Sequence, residues 1–332
     1  MAAWTDSIGL ALTGEGIAAR VPALARAAEQ AGLGSVWFVE DYFFPGAYTL
    51  AGAAAAVTDR IVLGLGVVNP YTRHPALIAM ETASLAALAP GRVVLGLGSS
   101  NRNWIAGRMA IAFDAPLARV RESVEIVRRL LAGERLTYQG AQLAVSGVEL
   151  EEKVSGTVPI LLGVKGPKAL AMAAEVADGV HGAILTTPAH VRRVRAAAAA
   201  RPGFTVIAYV ATAIDDDGRR ARESVKPLLA RYLGVLHGQS ILADAGLEER
   251  QTRPFREALS AGAPAAHLVD DALVERLAIA GTPADCRRAL ARFAEAGLDT
   301  PVALVPPALD LHEQISRIGR ELVPAWKDPG CR

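Results

Sequence analysis

The sequence predicts a (β/α)8 barrel, in which eight parallel strands alternate with helices. Strand-like and helix-like segments take turns along the chain, and eight of them are strands, which favours a closed barrel over an open sheet. An apolar motif that contains two glycines also occurs twice, and the two copies are about one strand-helix unit apart. The 332 residues suit one barrel with insertions, so we expect a single domain over residues 1–332.

Each element has its own local signals. The helix predicted at 19–31 ends at Gly32, and the one at 75–88 begins with a proline and is followed by Pro90 and Gly91. Strands are predicted at 7–12, 35–39, 61–66, 93–98, 158–162, 179–185, 205–213 and 301–305. Further helices are predicted at 50–57, 117–132, 167–177, 188–200, 218–236, 271–279, 283–296 and 309–323.

Two segments interrupt the alternation of strands and helices. Residues 134–156 are predicted to contain a hairpin around the sequence YQG at 138–140. Residues 237–268 are rich in glycine, alanine and proline without regular spacing. We therefore expect both segments to be insertions into the barrel.

The repeated motif is IVLGLG at 61–66 and VVLGLG at 93–98. Each copy is apolar without alternation, as expected of a strand buried on both faces. A dinucleotide-binding turn needs a third glycine that opens the next helix, but Asn69 and Asn101 occupy that place. The glycines can equally serve close strand packing or let a ligand approach the backbone.

Composition and motif content argue against several classes of function. The 35 basic and 34 acidic side chains nearly cancel, which argues against nucleic acid as a partner. No uncharged apolar run reaches membrane-spanning length, and no signal peptide is evident, so we expect no membrane partner. Only Cys286 and Cys331 occur, without metal-ligand spacing, which favours a reducing cytoplasm. Hydrolase and nucleoside triphosphatase motifs are missing, and we expect no metal site.

A barrel of this kind carries its chemistry at the carboxyl ends of its strands. Position alone therefore selects the candidate residues for catalysis and cofactor binding. They are Glu40, Asp41, Gly66, Val67, Asn69, Gly98, Ser99, Asn101, the loop at 163–168 and His181.

The loop at 163–168 joins a strand to the start of a helix. It consists of Gly163, Val164, Lys165, Gly166, Pro167 and Lys168. Backbone amides at the helix start are free to face an anion, and the two lysines add positive charge where a phosphate would lie. Alternatively, the lysines are solvated and the glycines only turn the chain.

Several ordered segments between residues 7 and 306 resemble the bacterial luciferase-like flavin oxidoreductases. They are WFVEDY at 37–42, GLGVVNPYTRHP at 64–75, PGRVVLGLG at 90–98, PILLGVKGP at 159–167, ADG at 177–179 and AGTPAD at 280–285. Each is weak alone, but together and in order they are specific for the family. The chain most resembles the branch that includes methylenetetrahydromethanopterin reductase, which uses the deazaflavin coenzyme F420.

This resemblance implies that coenzyme F420 or, alternatively, FMN binds across the strand ends, with its phosphate at the loop 163–168. It also implies a non-prolyl cis peptide bond at Gly66–Val67 and a homodimer formed through the helices beside strands two and three. The implied activity is hydride transfer between reduced deazaflavin and a small organic substrate. The alternatives are a monooxygenase that uses reduced FMN and oxygen, and a non-catalytic flavin-binding protein.

One departure from the family concerns the end of strand two. Many relatives have Asp-His there, whereas this chain has Glu40 and Asp41, so the role of that histidine cannot be transferred. Two adjacent carboxylates could repel one another, which would raise one pKa and give a general acid. We expect Glu40 to be this acid, because it should follow Phe38 inward. Alternatively, Glu40 hydrogen-bonds to the barrel rim and Asp41 faces solvent.

Other polar residues near the strand ends have simpler interpretations. We expect His74 to cap the helix that follows it and Glu81 to lie on a solvated helix face. His181 either lines the cofactor pocket or is a hydrogen-bonded rim residue. Ser99 and Asn101 either contact the cofactor or cap their own loop.

Overall fold

The structure is a computed structural model that describes residues 5, 7–14, 16–41 and 43–328. The strands are β1 (Gly9–Leu12), β2 (Ser35–Phe38), β3 (Val62–Val68), β4 (Val93–Leu97), β5 (Leu136–Gln139), β6 (Ala144–Val148), β7 (Ile160–Leu162), β8 (Gly179–Gly182), β9 (Thr205–Ile214), β10 (Ala278–Gly281) and β11 (Thr300–Leu304). The helices are α1 (Val21–Gln30), α2 (Ala47–Ala55), α3 (Pro75–Leu88), α4 (Pro116–Leu131), α5 (Pro167–Val176), α6 (Pro188–Ala197), α7 (Gly218–Val235), α8 (Ser240–Asp244), α9 (Glu249–Ala261), α10 (Asp271–Leu277), α11 (Pro283–Glu295), α12 (Leu311–Glu321) and α13 (Val323–Lys327).

Eight parallel strands close into a barrel, as the sequence predicts. Their order is β1, β2, β3, β4, β7, β8, β9 and β11, and β11 pairs again with β1. Strands β2 and β4 are buried along their whole length, which explains their apolar sequences without polar alternation. The closed sheet brings all strand ends that were selected by position to one face of the barrel.

A ninth parallel strand, β10, lies beside the barrel. β9 is ten residues long, and only its first half pairs with the short strand β8. β10 pairs with the second half, from Ala211 to Ile214. The predicted helix at 271–279 is therefore wrong at its end, because α10 stops at Leu277. The short apolar run AIAG has no periodicity that separates strand from helix, and the unpaired edge of β9 decides its conformation.

The two predicted insertions have different outcomes. β5 and β6 form the expected antiparallel hairpin outside the barrel sheet. The segment at 237–268 is not irregular, because it contains α8 and α9. Glu248 and Gln251 form a reciprocal capping box at the start of α9, and Gly262 ends it in the left-handed conformation. The start of α9 was not predicted from the sequence, because its N-cap residue is glutamate and not the usual serine or threonine.

Buried apolar side chains form two layers, one on each side of the barrel strands. Trp37, Ile207 and Tyr209 belong to the layer inside the barrel. Phe38 and Leu63 belong to the layer between strands and helices. Along β2, therefore, Trp37 points inward and Phe38 points outward, which sets the direction of the residues that follow.

Cys286 is a fully buried free thiol in the outer layer. Its Sγ atom lies 3.6 Å from the carbonyl oxygen of Ala213 and 3.7 Å from that of Gly281, at the carboxyl ends of β9 and β10. Burial raises the pKa of the thiol to about 12. At neutral pH the sulfur is therefore protonated.

Helix α3 is apolar on almost every side. Its inner side buries Ile78 and Ala79, yet Leu77 and Met80 remain 49% exposed, and Leu88 is 63% exposed. A helix of this composition is normally covered on both sides, so the outer face of α3 is available to a partner. None of the helices in the described ranges is long and apolar enough to cross a bilayer.

Candidate active site

The carboxyl ends of β3, β4 and β7 meet around the side chain of Val67. The Gly66–Val67 peptide bond is cis, which confirms the expectation from the resemblance. A Cβ atom added to Gly96, Gly98 or Gly163 would lie 2.9, 2.8 or 3.0 Å from a methyl group of Val67. These glycines leave the space that Val67 fills. The glycines in the second copy of the repeated motif therefore allow β4 to pack closely against Val67.

An aromatic floor, formed by Trp37, His181 and Tyr209, lies beneath this point. The ring of His181 is 4.9 Å from that of Trp37 and 4.3 Å from that of Tyr209, measured between centroids. Tyr209 donates a hydrogen bond from its hydroxyl to the carbonyl oxygen of Gly66 at 2.8 Å. A side chain at position 66 would overlap this hydroxyl, so only glycine fits.

His181 is not the hydrogen-bonded rim residue that one interpretation of the sequence offers. It lies inside the barrel, 3% exposed, and its Nε2 atom has no hydrogen-bond partner among the described residues. Burial lowers its pKa to about 3, so the imidazole is neutral at ordinary pH. An unpartnered buried nitrogen of this kind is suited to a polar atom of a ligand or a bound water.

Glu40 lies outside the barrel mouth, on the same side of the strand as Phe38. Its carboxylate forms an ion pair with Arg73, whose Nε atom lies 3.2 Å from the carboxylate of Glu81. The guanidinium also lies 5.5 Å from the centre of the Tyr48 ring. The inward direction expected for Glu40 is therefore wrong, because its partner Arg73 contacts Tyr48 of α2 and Glu81 of α3, which lie on the outer side of the sheet.

Glu81 is part of this ion network, and its side chain is 34% exposed. Burial raises its pKa, the positive charge of Arg73 opposes the rise, and the negative charge of Glu40 adds to it. Two carboxylates thus share one guanidinium between the end of β2 and α3. The network fixes the loop between β3 and α3 against β2.

Asp41 is half-buried at the barrel mouth, close enough to Tyr209 inside the barrel that its charge adds to the effect of burial in raising the pKa of that tyrosine. Burial raises its pKa, and the positive charge of Arg231 on α7 partly opposes the rise. Its charge also reaches Tyr209 and Tyr232, and burial together with this charge raises the pKa of Tyr232 to about 12. Asp41 is thus the carboxyl group at the mouth whose protonated form persists above the usual pH range.

The loop 163–168 leads into an open helix start. Gly166 is the N-cap of α5, no side chain caps the first turn, and Pro167 follows. A Cβ atom on Gly166 would meet no atom of the described residues within 4 Å. The two lysines differ, since Lys165 is half-buried with a pKa lowered by burial, whereas Lys168 is exposed. The loop therefore presents amides without helical acceptors and at least one solvated cation.

Most of the remaining candidate side chains have partners within their own loops. The Asn69 side chain accepts hydrogen bonds from the amides two and three residues ahead, at 3.0 and 3.1 Å. The Asn101 side chain accepts one from the amide of Trp104 at 3.1 Å. His74 accepts one from an amide of α3 at 3.2 Å, which confirms its predicted capping role. Among the described residues, the Ser99 hydroxyl makes only a 3.4 Å contact with the carbonyl group of Ser100.

Three residues that shape this region, Tyr209, Arg73 and Arg231, were not predicted from the sequence. Tyr209 could have been found, because alternation along the predicted strand at 205–213 brings it inside the barrel. Arg73 lies within a segment that carries the resemblance, but nothing in the sequence pairs it with Glu40. Arg231 approaches Asp41 only because the barrel closes, and no local pattern signals this contact.

Together these strand ends form a mouth suited to a ring-containing ligand with an anionic group. Barrel enzymes that bind a cofactor do so at this face, and this protein has the same arrangement. The chain belongs to the luciferase-like monooxygenase family, whose model matches residues 5–300. This confirms the resemblance inferred from the sequence.

Individual relatives agree with this assignment. The chain is 31% identical to 5,10-methylenetetrahydromethanopterin reductase of Archaeoglobus fulgidus over 317 residues, which cover 90% of this chain and 93% of that protein. The structure of the coenzyme F420 dependent tetrahydromethanopterin reductase from Methanopyrus kandleri superposes with a TM-score of 0.87 at 24% identity, over 97% of this chain and 99% of that chain.

The fold extends to an oxygenase. The oxygenating constituent of 3,6-diketocamphane monooxygenase from Pseudomonas putida, solved with FMN, superposes with a TM-score of 0.70 at 18% identity, over 96% of this chain and 98% of that chain. At these identities, both solved structures support the fold alone.

Proposed function

We propose that the protein is a coenzyme F420-dependent oxidoreductase that transfers a hydride between the reduced deazaflavin and a small organic substrate. The observation that carries the proposal is the composition of the mouth. An uncapped helix start follows β7, the half-buried carboxyl of Asp41 follows β2, and the aromatic floor lies between them. The extended similarity to 5,10-methylenetetrahydromethanopterin reductase supports the choice of cofactor.

The residues of the mouth fit such a cofactor. The amides at the start of α5, with Gly166 open to the outside, would hold the phosphate. The unpartnered Nε2 of His181 and the backbone around Val67 would contact the ring. Gly98 and Ser99 lie beside this backbone and complete the same wall. When bound, the coenzyme supplies the hydride from its deazaflavin ring.

We assign proton handling to Asp41. A substrate carbon that accepts a hydride leaves its neighbouring atom with a negative charge, which a proton must neutralise. The raised pKa of Asp41 keeps its carboxyl group protonated to higher pH than a free aspartate, so it can donate that proton. Glu40 is held by Arg73 on the outer side of the strand, and we propose a positioning role for it.

Cofactor identity separates this proposal from the FMN monooxygenase. A deazaflavin has carbon in place of a ring nitrogen and reacts poorly with oxygen. Titration of the purified protein with coenzyme F420 and with FMN, followed by fluorescence, should give tighter binding of F420. Tighter binding of FMN would support the monooxygenase, and binding of neither would contradict both. A half-buried carboxyl at the mouth speaks against a non-catalytic flavin-binding protein.

We further propose one domain over residues 1–332, a homodimer and a cytoplasmic location. The exposed apolar face of α3 supports the homodimer, because such a face is normally covered. The free thiol of Cys286 supports a reducing compartment.

A further inference from the structure

A cavity outside the barrel lies between the start of α6, the end of α8, the end of α10 and the second half of α11. Its volume is about 390 Å³. We call it the arginine cleft, because three of its charged lining residues are arginines and only two are acidic. These residues are Arg192, Arg276, Arg292, Asp244 and Glu295.

The arginines of the cleft lack strong acidic partners. In the described part of the chain, neither Arg192 nor Arg276 forms an ion pair, and Arg276 donates only to the carbonyl oxygen of Ala245 at 3.2 Å. Arg292 lies 3.6 Å from the carboxylate of Glu275, whose side chain is 76% exposed, and donates a hydrogen bond to the carbonyl oxygen of Glu275 at 2.6 Å. Solvent weakens such a pair, so the three guanidiniums remain available to a ligand.

Asp244 does not neutralise the cleft. Its carboxylate already lies 2.7 Å from Nδ1 of His190 and 2.8 Å from Arg193, and its side chain is 6% exposed. Glu295 is then the only lining carboxylate left against three guanidiniums. The cleft therefore carries net positive charge and suits a ligand with more than one carboxylate or phosphate group.

The cleft lies close to the loop 163–168. Ser240, the first residue of α8, donates a hydrogen bond to the carbonyl oxygen of Lys165 at 3.4 Å. Asp244, the last residue of the same helix, lines the cleft. The two ends are roughly 6 Å apart along the helix axis, at 1.5 Å per residue. Helix α8 therefore links the loop to the edge of the cleft.

We propose that the arginine cleft binds the carboxylates of the glutamate tail that coenzyme F420 carries beyond its phosphate. This inference rests on the proposed function and adds a second contact site to it. Guanidiniums form bidentate hydrogen bonds with carboxylates, and three of them can follow successive groups of a flexible chain. Because these arginines are exposed, each contact adds a modest, salt-sensitive gain in affinity.

The test compares two forms of the cofactor on three proteins. Dissociation constants are measured by fluorescence for F420 with its glutamate tail and for the phosphate-containing form without glutamates. The proteins are the wild type, the cleft variant R192S/R276S and the control variant R253S/R256S, which loses the same charge from the exposed side of α9.

We expect the wild type to bind the tailed form roughly tenfold more tightly at low salt, and this preference to shrink as salt is added. The cleft variant should lose most of this preference, and it should bind the tail-free form with the wild-type affinity, which also shows that its mouth is intact. The control variant should keep the preference.

Two outcomes would overturn the inference: equal binding of both forms by the wild type, or an undiminished preference in the cleft variant. Either leaves the proposed function standing, because the tail-free form still binds. If neither form binds to the wild type, the proposed function itself is contradicted.

Discussion

Glu40 and Asp41 are neighbours in the chain, yet they have opposite surroundings. Their position at the end of a predicted strand was enough to select them as candidates. The direction of each could not be predicted, because Trp37 and Phe38 are both large and apolar and either could fill the barrel interior. A shift of one residue reverses every assignment along a strand, and here it exchanges the two carboxylates. The outer position of Phe38 leaves Asp41 at the mouth.

We expect Asp41→Asn to lower turnover roughly 10²- to 10⁴-fold, the usual contribution of general acid catalysis. The wild-type rate should fall as the pH rises through the raised pKa of Asp41, because the donor is then deprotonated. This decline should vanish in the variant. The measurement is kcat/KM against pH, followed by oxidation of reduced F420. Glu40→Gln serves as comparison and should keep the decline; an unchanged Asp41→Asn profile would remove Asp41 from the mechanism.

At the level of strands and helices, the positions of the strand ends could be predicted from the sequence, but the contacts that require glycine at those ends could not. The repeated glycines indicated close approach, but the side chains they approach come from other strands: Trp37 and Tyr209 for the first copy, and Val67 for the second. Only the folded sheet brings them there. β10 and α9 were missed for a related reason. Their conformations depend on the free edge of β9 and on an uncommon capping box, respectively.

Gly98→Ala tests the space around Val67. The added methyl group would lie 2.8 Å from the side chain of Val67, and we expect a loss of about 1–3 kcal/mol in the free energy of unfolding. Val67→Ala in the same chain should restore part of this loss, because it removes the methyl groups that clash. The double-mutant cycle is measured by urea unfolding. Strictly additive losses would show that the two side chains do not compete for space.

Gly166→Leu tests the helix start of α5. A Cβ atom added there meets no atom of the described residues within 4 Å, so we expect stability to change little. Cofactor affinity should fall more than tenfold, or about 1.4 kcal/mol, because the leucine occupies the space in front of the amides. Gly46→Leu is the matched control, since Gly46 is also an uncapped N-cap with open space around it. Unaltered cofactor affinity in Gly166→Leu would show that the phosphate binds elsewhere.

At the scale of the whole molecule, the barrel could be predicted from the sequence, because eight strands that alternate with helices have few other closed arrangements. The outer surface was less so. The alanine-rich sequence of α3 indicated a helix, but only the structure shows that Leu77, Met80 and Leu88 remain exposed while the inner side is already filled. An apolar helix packed on one side alone is incomplete as a monomer surface.

We expect light scattering at micromolar concentration to give twice the chain mass of 34.7 kDa. The variant L77E/M80E should give the mass of one chain, because two like-charged carboxylates in an apolar contact oppose association. The control variant L117E/L259E changes exposed apolar residues on α4 and α9 and should remain dimeric. A monomeric wild type would rule out the homodimer.

The burial of Cys286 has a kinetic consequence. A thiol with no exposed surface and a pKa of about 12 reacts with an alkylating reagent only after α11 separates from β9 and β10. With Cys331, which lies outside the described residues, replaced by serine, the labelling rate reports this opening without any introduced probe. Comparing labelling with and without cofactor then shows whether binding at the mouth restrains a helix on the outside of the barrel.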